Sequence, residues 1–92
     1  MKPLAHAVPG ALAVLLRTTP TSPAKIDFAW TAAVGPAMGR VTSVRLENKV
    51  LLVEAASEPW GREVSRSSRV ILARLQTLLG EDVVTRIEVR RA

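Results

Sequence analysis

The sequence predicts a single α+β fold, a three-stranded sheet with helices packed on one face, in the order α-α-β-β-α-β. Three observations carry this. Apolar residues recur at helical spacing before position 38 and again over residues 57–80. They alternate with polar ones over residues 41–57 and 83–90. Proline, glycine and serine punctuate the joins. An N-terminal part, residues 1–21, is expected to hold a short helix and a connector, with residues 22–92 forming the α+β domain.

The first helix is expected over residues 9–17, where Pro9 takes an early position at which its missing N–H costs nothing. The connector is TTPTSP, residues 18–23. Ser22 then serves as N-cap and Pro23 as first residue of a helix running through AKIDFAWTAAVGPAM, with Ile26, Trp30, Ala33 and Val34 on one face. Gly35-Pro36 should end or kink it, because proline disfavours helical geometry at the residue before it. Residues 41–57, VTSVRLENKVLLVEAAS, read as two strands joined at Glu47-Asn48-Lys49. Their inward face carries Thr42, Val44 and Leu46, then Leu51, Val53 and Ala55. A long helix follows over SEPWGREVSRSSRVILARLQTLLG, opened by Ser57 as N-cap and closed by Gly80. The last strand is VVTRIEVR, residues 83–90, with Val83, Ile87 and Val89 inward and Val84, Arg86, Glu88 and Arg90 outward.

Composition narrows the function classes. Thirteen lysines and arginines against eight acidic residues leave a net charge of +5, and ten of the thirteen are arginine. Arginine suits forked contacts with phosphate or carboxylate, so a nucleic acid, an anionic membrane or an acidic protein fits as partner. The chain has no cysteine, which excludes disulfides, thiolate metal sites and cysteine nucleophiles. GALAVLL, after Pro9-Gly10, is too short to span a bilayer and has no clean cleavage site after it, so a cytoplasmic protein is expected. Catalysis finds little footing. His6 is the sole histidine, with no carboxylate or serine partner near it in sequence. Glu81-Asp82 sits in an expected turn, and GPAMG matches neither nucleotide fingerprint. The expectation is a non-enzymatic protein with no cofactor and no metal.

Four short patterns, in this order and spacing, point further: Trp30-xxx-Val34-Gly35 in a helix, Thr42-x-Val44-x-Leu46, Leu51-x-Val53, and Ser57-xx-Trp60-xx-Glu63 opening a helix that ends Leu78-Leu79-Gly80. Together they resemble the bacterial DciA-like domain over roughly residues 26–90. The resemblance implies a fold like a type II KH domain without its Gly-x-x-Gly loop, and a role as loader or operator of the replicative DNA helicase. The chain departs from the family pattern at Asn48-Lys49, where Asn-Gly or Asp-Gly is usual, at Val64 and at Gln76.

Three surfaces are candidates. Arg62, Arg66 and Arg69 share a narrow sector of the long helix, nearly opposite Trp60, Val64, Ile71, Leu75 and Leu78. A wet helix face explains charge there. Like charges one turn apart repel slightly, however, and that cost, the net charge and the resemblance favour a site for a polyanion, with Lys49 and Arg45 as outlying contacts. The second surface is the open sheet face, where Val50, Leu52 and Val84 would form an apolar centre rimmed by Arg86 and Arg90. That composition suits protein docking, unless the first helix covers it or the register differs. The third comprises Trp30 and Trp60, which could stack on unpaired bases but are expected in the core, because helical aromatic stripes face inward.

The expected function is therefore an accessory protein of DNA replication that binds the replicative helicase and contacts single-stranded DNA without base specificity, in the cytoplasm at the nucleoid. Two alternatives stand beside it: a KH-like RNA-binding or ribosome-associated module, and a pure protein adaptor. The missing Gly-x-x-Gly loop, which clamps the nucleotide backbone in KH domains, counts against the first of these.

Overall fold

The computed structural model describes residue 18 and residues 20–91. The helix expected over residues 9–17, and with it most of the proposed N-terminal part, lies outside the described residues. The described chain is an α+β fold with a three-stranded mixed sheet. Its elements are α1 (Pro23–Val34), α2 (Pro36–Arg40), β1 (Thr42–Glu47), β2 (Val50–Ala55), α3 (Glu58–Arg66), α4 (Ser68–Leu79) and β3 (Arg86–Arg91).

Helix α1 begins where expected. Ser22 is extended and its side chain accepts a hydrogen bond from the Lys25 N–H at 3.2 Å, with Pro23 in the first turn. Gly35 ends it at φ +93°, ψ 161°, a conformation open in practice only to glycine. Pro36 then opens the five-residue α2, so the expected kink divides the segment into two helices. Strand β2 lies at the centre of the sheet, antiparallel to β1 and parallel to β3. The hairpin closes on two residues, Asn48 at φ +50° and Lys49 at φ +67°, the sign that a type I′ turn demands at both positions.

The inward sheet face is the expected one. Val44 stands opposite Val53 and Leu46 opposite Leu51, and Ile87 and Val89 continue the same rows on β3. Against them pack Ile26, Ala29, Trp30 and Ala33 of α1, Val64 of α3, and Ile71, Leu75, Leu78 and Leu79 of α4. At Gly61, α3 lies close to the sheet: a Cβ there would stand 3.6 Å from Ala55 Cβ and 3.7 Å from Val89 Cγ1, ordinary contact distances. Among the described residues, all helices cover this one face.

Two expectations need correction. Residues 57–80 form two helices, not one. At Ser67 the backbone leaves helical geometry (φ −98°, ψ 7°), although its N–H still reaches the Glu63 carbonyl at 3.1 Å. The last strand starts at Arg86, not Val83. Residues 81–83 form a turn and Val84 and Thr85 are not paired into the sheet, so the alternation cannot be counted back through them. Val84 is fully buried in the core, and its carbonyl accepts a hydrogen bond from Gln76 Nε2 of α4 at 3.0 Å. It is not on the open face.

Candidate nucleic-acid and partner interface

The open sheet face carries Ser43, Arg45 and Glu47 on β1, Val50, Leu52 and Glu54 on β2, and Arg86, Glu88 and Arg90 on β3. With Val84 in the core, its apolar centre shrinks to Val50, which is half-buried, and Leu52, which is 7% exposed. Leu52 stands between Arg45 and Glu88 in the register. Long polar side chains surround it, and these cover apolar surface with their stems while keeping charge in water. Residues two apart on a strand share a face, and charges pair along it. Arg45 Nε lies 2.7 Å from Glu47 Oε2, and Arg90 Nη2 lies 3.7 Å from Glu88 Oε1. Both pairs are largely exposed, so each contributes little to stability.

On the helical side, Arg62 and Arg66 project from α3 and Arg69 from the first turn of α4. All three are exposed. They therefore flank the Ser67 break instead of lining one continuous helix. Arg62 borders a surface depression of about 380 Å³ with Ser57, Glu58, Gly61, Val89 and Arg90. That depression brings one helical arginine together with one from the sheet. Arg66 Nη1 is 3.6 Å from Glu63 Oε1, a loose pair whose arginine side chain is 74% exposed. Lys49 does not join this group. It sits in the hairpin turn, while α3 packs over Ala55 at the other end of β2, about 20 Å away at the rise of a strand. Arg45 points from the opposite sheet face.

The tryptophans part company. Trp30 is 1% exposed, and its Nε1 donates to Thr42 Oγ1 at 2.8 Å, which in turn donates to the Met38 carbonyl at 2.7 Å. It belongs to the core, as expected. Trp60 does not. It is half-buried, and among the described residues it is neither in the core nor packed against it. Instead it lines an open depression with Val34, Ala37, Met38, Pro59 and Glu63. Its place in the first turn of α3, next to a proline and at the end of the sheet, is the signal in the sequence. Arg74 carries a role the sequence did not suggest: its Nη1 donates to the Ala33 carbonyl at 2.8 Å, capping the C-terminal end of α1 with a positive charge.

Among the described residues no group of histidine and acidic side chains is placed to hold a metal, and no helix is long and apolar enough to cross a membrane. No curated protein sequence matches the chain. A family model described as "Dna[CI] antecedent, DciA" matches residues 3–89. This is a family of non-catalytic helicase loaders, so the match suggests an accessory role in helicase loading and implies interaction with the replicative helicase. Matched over all but its first two and last three residues, the chain belongs to the DciA family.

Proposed function

We propose that this protein is a non-enzymatic replication accessory protein that binds the replicative helicase and holds single-stranded DNA through its phosphates, acting in the cytoplasm at the nucleoid. Arg62, Arg66 and Arg69 are the principal phosphate contacts, with Lys49 and Arg45 outlying. On the open sheet face Val50, Arg86 and Arg90 are available to the helicase, around a Leu52 that is itself almost wholly covered. The observation that carries the DNA reading is the exposure of three arginines around the Ser67 break, with one loose ion pair to them, Arg66 with Glu63, among the described residues. An arginine needed for the fold looks like Arg74, half-buried with its guanidinium on a carbonyl.

The KH-like reading is supported by the mixed sheet and by two helices, α3 and α4, that join its central strand to its parallel neighbour. Ser65, Arg66, Ser67, Ser68 and Arg69 span the join, with no glycine pair. Basic side chains, rather than a glycine loop clamping the backbone, therefore do the holding, which favours sequence-independent contact.

The test is the variant with Arg62, Arg66 and Arg69 all changed to Gln. Single-strand binding loses about 0.7 counterion per phosphate contact, so the plot of log affinity against log salt should flatten by about two units. Binding should weaken alike on different base sequences, and stability should move by no more than about 0.5 kcal/mol per exposed change. A folded triple variant with unchanged affinity and salt slope overturns the assignment. Capture of helicase from lysate by the purified protein tests the other half of the reading, and capture of ribosomal RNA in its place would support the RNA-binding alternative.

A further inference from the structure

We infer that Trp60 is a stacking platform for an unpaired nucleobase, seated in the depression between α2 and α3. The inference rests on the proposed single-strand binding and adds a contact to the base where the arginines contact only phosphate.

A tryptophan is costly to leave partly in water, since its ring carries a large apolar area. Here the indole is half-buried and lies outside the core, while the other tryptophan, Trp30, is sealed within it. The depression that Trp60 lines is about 490 Å³, and Val34, Ala37, Met38 and Pro59 make its walls apolar. The one charged wall is Glu63, whose carboxylate repels a phosphate. Such a recess admits a flat, uncharged ring and excludes the backbone that carries it. The backbone has its own track close by. Arg66 Nη1 lies 3.6 Å from Glu63 Oε1, so the guanidinium and the apolar recess share that residue as a neighbour. From Trp60 to Arg66 the helix rises about 9 Å, a span that one sugar-phosphate unit and the arginine's own length bridge together. Arg69 continues the basic track past Arg66 and the Ser67 break, while Arg62 borders the separate depression beside Gly61 and Val89. Aromatic platforms beside a cationic groove are the general means of holding single strands without reading their sequence, because every base has a π-face. The adjacent arginines are what favour a nucleic acid over an apolar peptide as occupant.

The experiment uses the full chain and two fluorescent oligonucleotides of equal length, oligo(dT) and its abasic counterpart, which carries the same charge without bases. Wild-type protein should bind oligo(dT) more tightly than the abasic strand, with quenching of the tryptophan emission that comes from Trp60, since Trp30 is sealed in the core. Trp60→Ala should lose between about fivefold and a hundredfold in oligo(dT) affinity, keep the salt slope, and bind the two strands alike. Trp60→Phe, which keeps an aromatic face, should recover most of the loss. Equal wild-type binding of oligo(dT) and the abasic strand overturns the inference, and this arm needs no variant to fold. So does a folded Trp60→Ala protein that keeps its oligo(dT) affinity but fails to capture a protein partner, which would make the recess a protein-docking site. If the triple arginine variant loses DNA while Trp60→Ala holds it, the stacking inference falls and the phosphate reading stands. If wild-type protein binds neither strand, both fall.

Discussion

Changing Thr42 to Val removes one oxygen at a junction of three elements, and the two hydrogen bonds of that oxygen set the cost. Thr42 Oγ1 accepts from Trp30 Nε1 of α1 at 2.8 Å and donates to the Met38 carbonyl of α2 at 2.7 Å. Valine has nearly the same shape and suits a strand equally well, so no cavity forms and propensity is unchanged. What is lost is polar. The indole N–H of a side chain 1% exposed is left without a partner, at a cost of about 1–3 kcal/mol, and the bond to the carbonyl is worth about 1 kcal/mol more. A total of about 2–4 kcal/mol is a large part of the 5–15 kcal/mol that stabilises a typical domain. For a chain this size it lowers the melting temperature by about 8–20 °C. Thermal and urea unfolding monitored by circular dichroism measure it. The mechanism itself is tested by repeating the change in a Trp30→Phe background, where no N–H exists to be orphaned. There Thr42→Val should cost only about 1 kcal/mol, leaving a coupling energy of about 1–3 kcal/mol between the two positions. Equal costs in the two backgrounds would refute the idea that the indole bond is what Thr42 supplies.

Other outcomes stem from single features. Gly61→Ala should stabilise the protein by up to about 1 kcal/mol in a thermal melt, because helix propensity improves and the new Cβ meets Ala55 and Val89 only at ordinary contact distance. Gly80→Ala should destabilise by about 1–3 kcal/mol, since Gly80 ends α4 at φ +111°, ψ 148°. Arg74→Met should lower stability by about 1–2 kcal/mol through loss of the charged cap on α1, yet leave the salt dependence of DNA binding where it was. Leu52→Asp should destabilise measurably in urea, because the position is 7% exposed in the central strand.

Much of this fold was legible because short-range chemistry dictates it. The kink at Gly35-Pro36, the Ser22 cap and the inward rows of the hairpin each obey a local rule that nothing in the tertiary structure opposes. Val84 failed for a definite reason. Alternation has meaning only within a paired strand, and the turn at 81–83 uses up residues whose parity then carries no information about β3. The break at Ser67 was hidden because the apolar positions keep their helical spacing across it and serine is no strong breaker. Trp60 was misplaced by the same helical wheel, which gives direction but not distance from the sheet; at the start of α3 the inward direction meets α2 and open water. The arginines were visible in the sequence as a set. Their division between two helices, and the separation of Lys49 and Arg45 from them, depended on how the chain folds back.

The mixed sheet also sets an order of assembly. The antiparallel half, β1 with β2, closes over a two-residue turn, whereas the parallel half brings β3 to β2 across residues 56–85. Chain entropy disfavours the second closure far more, and no β3 pairing is rewarded until α3 and α4 have formed and packed. The hairpin should therefore gain protection first in pulse-labelled hydrogen exchange, with Arg86–Arg91 last to dock. Until it docks, β2 offers a bare edge bearing Leu51 and Val53, so a newly made chain lacking its final strand exposes the centre of its own core.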